Sequence, residues 1–297
     1  MPDKRADIFE LHRRTLEGLA YRMLGTLAEA HDAVQETYLR WHEVDVAALN
    51  SPRAWLITVC SRIALNQLQS ARRQREIYIG EWLPEPFPDE LPGENYDPAA
   101  QTEINDTVSV ALLLALEKLS PMERAAFLLH DIFEFSFGQI ADALGKSSAH
   151  CRQCATRGRK RIRENRPRFV TTPEAHRTLI DGFLGAAKQH DAEKLIALLA
   201  RDVELYSDGG GKVQALPEVL CGADSVASFF SKVFAAYHQD GIEIRTRYQR
   251  FNGATGVLVF EDEQLATALT IDTHCGLIQK IYAVRNPVKL SGLTRYT

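Results

Sequence analysis

Apolar positions recur at helical spacing through roughly the first 168 residues. Near Thr172 the pattern changes to helices followed by alternating, strand-like runs. Ile8, Leu11, Leu16, Leu19, Met23 and Leu24 give residues 5–24 one apolar face, which Gly25-Thr26 interrupts. A second helix from about Ala28 places Ala33, Val34, Tyr38 and Trp41 inward and Glu29, Asp32, Gln35, Glu36 and Arg40 outward. Ser51-Pro52 reads as a helix cap followed by the first helical position. The helix it opens, Arg53 to about Arg75, carries Trp55, Leu56, Val59, Ile63, Leu65 and Leu68 and ends in a basic tail, Arg72, Arg73 and Arg75.

Pro84, Pro86, Pro88, Pro92 and Pro98 exclude a continuous helix over 79–106. That segment reads as an acidic, extended linker. Trp82 and Leu83 in its WLPEP stretch have no reason to be solvated, so this part of the linker is expected to dock on something. Helices resume over 107–131, where Ser120-Pro121 with Glu123 has the form of a capping box. From Phe137 to Arg168 two helices flank a tight turn. Phe137, Ile140, Ala141 and Leu144 face inward, Gly145 ends the first helix, and Ser147 or Ser148 starts the second. On the second, Cys151, Cys154, Gly158 and Ile162 form one narrow buried stripe. This layout suits a helix-turn-helix, whose second helix packs by one stripe and offers the remaining faces to a polyanion.

Beyond Thr172, helices over Pro173–Gln189 and from His190-Asp191 precede a strand at Val203–Tyr206. An Asp208-Gly-Gly-Gly-Lys212 loop and a helix over Ala223–Tyr237 come next. Strands are expected at Ile242–Phe251, Gly256–Phe260, Gln264–Ile271 and Leu277–Val284. Helices first and a curled antiparallel sheet afterwards make an α+β domain. The fold expected is therefore multidomain: two all-α domains, the second with the helix-turn-helix, and a C-terminal α+β domain. Their bounds are 1–78, 107–168 and 172–297, with the linker at 79–106.

The 297 residues are net −4, but unevenly so. Residues 1–80 are net +1, 81–106 net −8 without a single Lys or Arg, 107–168 net +5, and 169–297 net −2. The basic field is local, and Arg152 to Arg168 holds 8 basic residues against one acid, Glu164. Five irregularly spaced cysteines suit a reducing compartment, and the chain shows no secretory signal and no apolar run of membrane-spanning length. A cytoplasmic location is expected, with no membrane association.

These segments resemble a family. DAVQETYLRW (32–41), SPRAWLITVCSRIALNQLQSARRQRE (51–76) and residues 116–163, in this order, look like the group IV, extracytoplasmic-function (ECF) RNA polymerase sigma factors. The resemblance implies that Asp32, Gln35, Glu36, Leu39 and Trp41 bind core RNA polymerase. It implies that Arg53, Trp55, Arg62, Asn66, Arg72 and Arg73 serve the melted −10 element of promoter DNA. His150, Arg152, Gln153, Arg157, Arg159 and Lys160 would serve the duplex −35 element, where Arg suits guanine and Gln adenine edges. WLPEP, DGGGK and the Asn286-Pro-Val-Lys-Leu290 tail resemble the sigma factors that carry a SnoaL-like cone domain. That likeness implies a regulatory contact made by Trp82, Leu83, Pro84, Asp208, Gly209, Gly210, Gly211, Lys212, Asn286, Pro287, Lys289 and Leu290. Val288 stands where the family commonly has Asp. A free monomer without cofactor or metal is expected, and whether the cone domain holds a small ligand is left open by the sequence.

DGGGK lacks the full phosphate-loop spacing. Cys151 and Cys154 have no second ligand pair at zinc-finger spacing. His190, Asp191, Tyr206, Asp208, Tyr237, His238 and His274 are the acid–base groups that an alternative, a SnoaL-like isomerase or cyclase fused to DNA-binding helices, would have to use.

Overall fold

The computed structural model describes residues 4–76, 78–89, 109–165 and 172–294. They form two compact units: 4–76 with 112–165, and 78–89 with 109–111 and 172–294.

The helical unit begins with α1 (Lys4–Leu24), α2 (Leu27–His42) and α3 (Pro52–Glu76). The Thr26 hydroxyl caps α2 by accepting from the Glu29 N–H, and Ser51 does the same for α3 through the Ala54 N–H. The three helices bury Leu16, Leu19, Met23, Leu24, Leu56 and Cys60. Each buried leucine contributes about 1.5–3 kcal/mol of apolar transfer energy. The chain continues through α4 (Val110–Glu117), α5 (Pro121–Phe127), a π-turn at Leu128–Ile132, α6 (Phe137–Leu144) and α7 (Ser148–Asn165). Both arms of the Ser120/Glu123 capping box form. A second box, Ser136 with Gln139, opens α6, and Gly145 at φ 63° ends it. Ser147 caps α7, its hydroxyl accepting from the His150 N–H. The α7 stripe packs as expected, with Cys151, Cys154, Gly158 and Ile162 buried. Gly158 lets α7 approach α5 closely: a Cβ there would sit 3.2 Å from both the Glu123 carbonyl oxygen and the Phe127 Cβ.

Within this unit α3 packs against α5 and α6. Arg124 of α5 is 1% exposed. Its guanidinium donates to the Leu116 and Met23 carbonyls, at 2.9 and 2.7 Å, and pairs with Glu117 at 2.7 Å. Arg62 of α3 donates to the Asp142 carbonyl at 2.8 Å and to that of Ala143. It thereby satisfies two of the open carbonyls at the C-terminal end of α6.

The second unit holds α8 (Pro173–Lys188), α9 (Ala192–Leu198), β1 (Leu199–Asp208), β2 (Leu220–Cys221) and α10 (Ala223–Gln239). After these come β3 (Ile244–Phe251), β4 (Ala254–Glu261), β5 (Gln264–His274), β6 (Leu277–Val284) and α11 (Pro287–Thr294). The six strands form one sheet in the order β2-β1-β6-β5-β4-β3. Every pairing is antiparallel except β1 with β6. The helices and one sheet face enclose Ile180, Phe183, Val203, Leu205, Val226, Phe230, Val257, Leu269 and Ile281. Phe183 meets Phe230 edge-on at 4.8 Å. This is the α+β cone that the pattern of elements led us to expect. Strand β2 and helix α11 were not anticipated: the first has two residues, and the second opens on a motif read only as a tail.

Residues 79–89 depart from a solvated spacer. Leu83 through Asp89 are all buried, and the segment is docked on the cone. The rest of the expected linker, 90–106, lies outside the described residues.

Candidate nucleic-acid interface and linker docking site

The outer faces of α2, α3 and α7 carry the residues singled out for polymerase and DNA. On α2, Asp32, Gln35 and Leu39 are exposed and Glu36 is half-exposed, pairing with Arg40 at 2.5 Å. Leu39 is 60% exposed, a large apolar side chain left in solvent. Trp41 does not join them. It is fully buried, donates its indole N–H to the Arg5 carbonyl at 2.9 Å and packs on Trp55 at 5.5 Å. Its sequence position served two readings, core and polymerase contact, and burial leaves only the core role for its side chain.

On α3, Arg53 and Asn66 are exposed. Trp55 is half-buried against Trp41, and Arg62 is engaged with the α6 carbonyls. The side chains of Arg72 and Arg73 lie outside the described residues.

The α7 face is more constrained than its charge count suggested. Buried Glu123 receives the Arg157 Nε–H at 2.8 Å and an Arg161 N–H at 2.6 Å. A second N–H of Arg157 points at the Cys154 sulfur, 3.4 Å away. Arg159 pairs with Asp131 at 2.6 Å. Arg152 lies 5.3 Å over the Phe137 ring, and His150 reaches the Cys154 sulfur at 3.5 Å. Gln153 and Lys160 are exposed and have no hydrogen bond or ion pair among the described residues. Arg157 and Arg159 were expected to be free for DNA, but the structure holds each on a carboxylate of the unit itself.

Burial pushes the Glu123 carboxyl up, but the Ser120 N–H, Arg157, the Ser120 hydroxyl and Arg161 outweigh it and hold Glu123 below the ordinary glutamate range. A carboxyl depressed in the folded state stabilises above its unfolded pKa, and that stability is lost as pH falls through the folded value. We therefore expect the helical unit to lose stability in acid below the usual glutamate range. Glu123→Gln should flatten that part of the pH profile, as measured by urea titrations of both proteins across it.

The cone holds the other site. Asp208, at the end of β1, is fully buried. One carboxylate oxygen accepts from the Tyr78 hydroxyl at 2.6 Å. The other accepts from the Leu83 N–H at 2.9 Å and from Lys289 Nζ at 2.7 Å. Lys289 also donates to the Leu83 carbonyl and lies 4.4 Å over the Trp82 ring and 5.0 Å over that of Tyr78. Asn286 donates to the Tyr78 hydroxyl at 2.8 Å, and its side-chain oxygen accepts from the Val288 N–H, opening α11. Burial first, and Asp208 next, raise the Tyr78 phenol above its ordinary value, so it remains a donor.

A second clasp lies further along. Phe87 and Asn252 exchange hydrogen bonds. Buried Asp89 pairs with Arg250 at 3.2 Å and accepts from the Gly253 N–H at 2.9 Å. The glycines of DGGGK fit this packing rather than a phosphate: side chains at Gly210 and Gly211 would run into Asn286, Tyr78 and Ile79. Lys212 is exposed and takes no part in the clasp, and Pro287 is also exposed. Leu290 is buried and Pro84 packed away. Val288 is exposed, so its departure from Asp removes no buried contact. Tyr78, Asp89, Arg250 and Asn252 were missed in the sequence, because none belongs to a recognisable motif.

The acid–base groups do not converge. His190 and His238 have ring centroids 6.4 Å apart, Asp208 is spent on the clasp, and Tyr237 donates to Glu261 at 2.6 Å. Among the described residues no group of three potential ligands could hold a metal ion, and no helix is long and apolar enough to cross a membrane.

Residues 8–74 match the model of Sigma-70 region 2, and 109–162 that of Sigma-70, region 4. The chain is 34% identical over 292 residues to the ECF RNA polymerase sigma factor SigJ of Mycobacterium tuberculosis, covering 96% of this chain and 92% of that protein. It is 33% identical to the probable ECF sigma factor SigI of the same species, over 95% and 93%. The crystal structure of M. tuberculosis SigJ superposes with a TM-score of 0.76 at 31% identity, covering 97% of this chain and 98% of that one. Helical regions 2 and 4, the C-terminal cone and full-length similarity together place the chain in the ECF RNA polymerase sigma factors, proteins that direct promoter-specific transcription initiation and are not enzymes.

Proposed function

We propose that this sigma factor is restrained in cis by its own cone domain, through the clasp on residues 78–89. The Asp208–Lys289 pair carries the reading. A buried ion pair closed on the Leu83 backbone is a specific lock, and its elements are distant in sequence. In this reading 1–77 and 107–168 are the promoter-reading domains and 172–297 the regulator, with the chain acting in the cytoplasm as a monomer until it meets polymerase. Asp32, Gln35, Glu36 and Leu39 form the polymerase-docking face. Arg53 and Asn66 serve the −10 element. Arg152, Gln153 and Lys160 serve the −35 element, with His150 at the start of the same helix. Arg62, Arg157 and Arg159 serve DNA only after leaving their present partners.

Leu39→Asp tests the docking face. Leu39 is already in solvent, so stability should change by no more than about 0.5 kcal/mol. Co-purification with core polymerase and run-off transcription should both fall at least tenfold, because a desolvated carboxylate would replace an apolar contact. Unchanged polymerase binding would remove α2 from the docking face. Run-off transcription with wild type and with a clasp variant, on the same promoter, tests the cis-regulatory reading.

A further inference from the structure

Leu128–Ile132 winds as a single π-turn, in which the Phe133 N–H donates to the Leu128 carbonyl, five residues back, at 3.1 Å. Such a turn is wider than an α-helical one, uncommon, and frequent at functional sites. Its two polar side chains, His130 and Asp131, each bear on α7. Asp131 holds Arg159 directly, at 2.6 Å. His130 acts through an intermediary. Its ring lies on that of Phe137, with centroids 4.1 Å apart and planes tilted by 30°. Arg152 lies over the same Phe137 ring at 5.3 Å. Arg152 and Arg159 are seven residues apart and so share one face of α7.

The support under Arg152 is itself held in place. Phe137 packs against Ala126, Cys154 and Ala155. The His130 Nδ1–H donates to the Phe135 carbonyl at 2.8 Å, which fixes the plane of the imidazole and the nitrogen that carries its proton. An arginine on an exposed helix face is among the side chains with the most rotamer freedom to lose. A guanidinium resting on an aromatic ring has given up part of that freedom before DNA arrives. Bidentate contact with guanine needs this, because two N–H groups must meet O6 and N7 together. Without the imidazole, Phe137 keeps its packing on α7 but loses the ring stacked against it, and is free to tilt under Arg152.

We infer that His130 is a positioning residue for reading the −35 element: it steadies the Phe137 ring on which Arg152 is oriented, and so sharpens base preference through a side chain other than its own. The inference rests on the reading of Arg152 as a −35 contact, and the experiment separates the two.

Full-length chains are combined with core RNA polymerase on templates randomised across the −35 element, each carrying a transcribed barcode. Sequencing the run-off transcripts gives both total yield and base preference at each position. Arg152→Ala should lower the preference at one position about tenfold. His130→Ala should lower it at that same position about threefold, and should add nothing further in the Arg152→Ala background. His130→Phe keeps a ring against Phe137 and should retain the wild-type preference. A merely structural role would lower transcript from every template alike and leave the preference intact. Phe137→Leu, which keeps apolar bulk but offers no ring, should reproduce His130→Ala and serves if that variant fails to fold.

Unchanged preference in Arg152→Ala would overturn the −35 reading of Arg152 and the inference with it. Relaxed preference in Arg152→Ala, with none in folded His130→Ala or Phe137→Leu, overturns the positioning role alone. So does a further loss when His130→Ala is added to Arg152→Ala, or a phenylalanine variant as relaxed as the alanine one.

Discussion

Replacing Arg124 by Met should destabilise the helical unit by about 3–5 kcal/mol, the scale for breaking a buried ion pair from one side. Arg124 fills its site with donors aimed at the Leu116 and Met23 carbonyls and at Glu117. Met matches the length and restores none of these bonds, so the Leu116 and Met23 carbonyls and the Glu117 carboxylate each lose a charged donor. For a unit of this size the melting temperature should fall by roughly 10 °C. Adding Glu117→Gln should return part of the loss by removing the stranded charge. Urea unfolding of the single and double variants measures both. A single variant as stable as wild type would mean that the side chain is replaceable by packing alone. Met23 belongs to α1 and Leu116 to α4, so the variant should also loosen the polymerase-binding helices from the helix-turn-helix. That loosening should appear as faster exchange at the α3 contact with α6.

Asp208→Asn should release residues 78–89. The amide preserves the shape and can still accept from Tyr78, but Lys289 remains charged, 5% exposed and without its carboxylate. The cost is again about 3–5 kcal/mol, enough to raise the open fraction of the segment by about two to nearly four orders of magnitude. Exchange of the Leu83 amide should rise accordingly, while α8 and α10 stay protected. Removing the stranded charge as well, with Asp208→Asn and Lys289→Met together, should restore most of the docking. Under the cis-regulatory reading the single variant gives more run-off transcript than wild type and the double variant returns toward it. Equal transcript from all three would separate the clasp from regulation.

Local signals made much of this fold legible. Ser51-Pro52, Ser120 with Glu123, and Gly145 each satisfy the first or last turn of a helix with neighbouring residues, so the chain announces those ends within four positions. Strands β3 to β6 are runs of eight or more residues rich in β-branched and aromatic side chains, and they were placed to within three residues. The two-residue β2 has no periodicity to detect, and α11 is held by Asn286 rather than announced by an apolar stripe. At the sites, residue type pointed to the right helices but not to which side chains are free. Arg157 and Arg159 look like Lys160 in sequence. Only folding brings Glu123 and Asp131 across to the first two. Tyr78 and Asp89 escaped notice for the same reason, since their partners lie well over a hundred residues away.

Strands β1 and β6 run side by side in the same direction, the one such pairing in the sheet. Their outgoing ends must therefore leave at one corner of the domain, whatever the chain does between them. The loop after Asp208 and the turn before α11 are neighbours by topology rather than by sequence proximity. Lengthening a surface hairpin between β3 and β4, or between β5 and β6, would extend the chain's path without separating that corner. Reversing or slipping β6 would pull it apart at once, so the latch is inherited from strand direction and can survive extensive change in everything the strands connect.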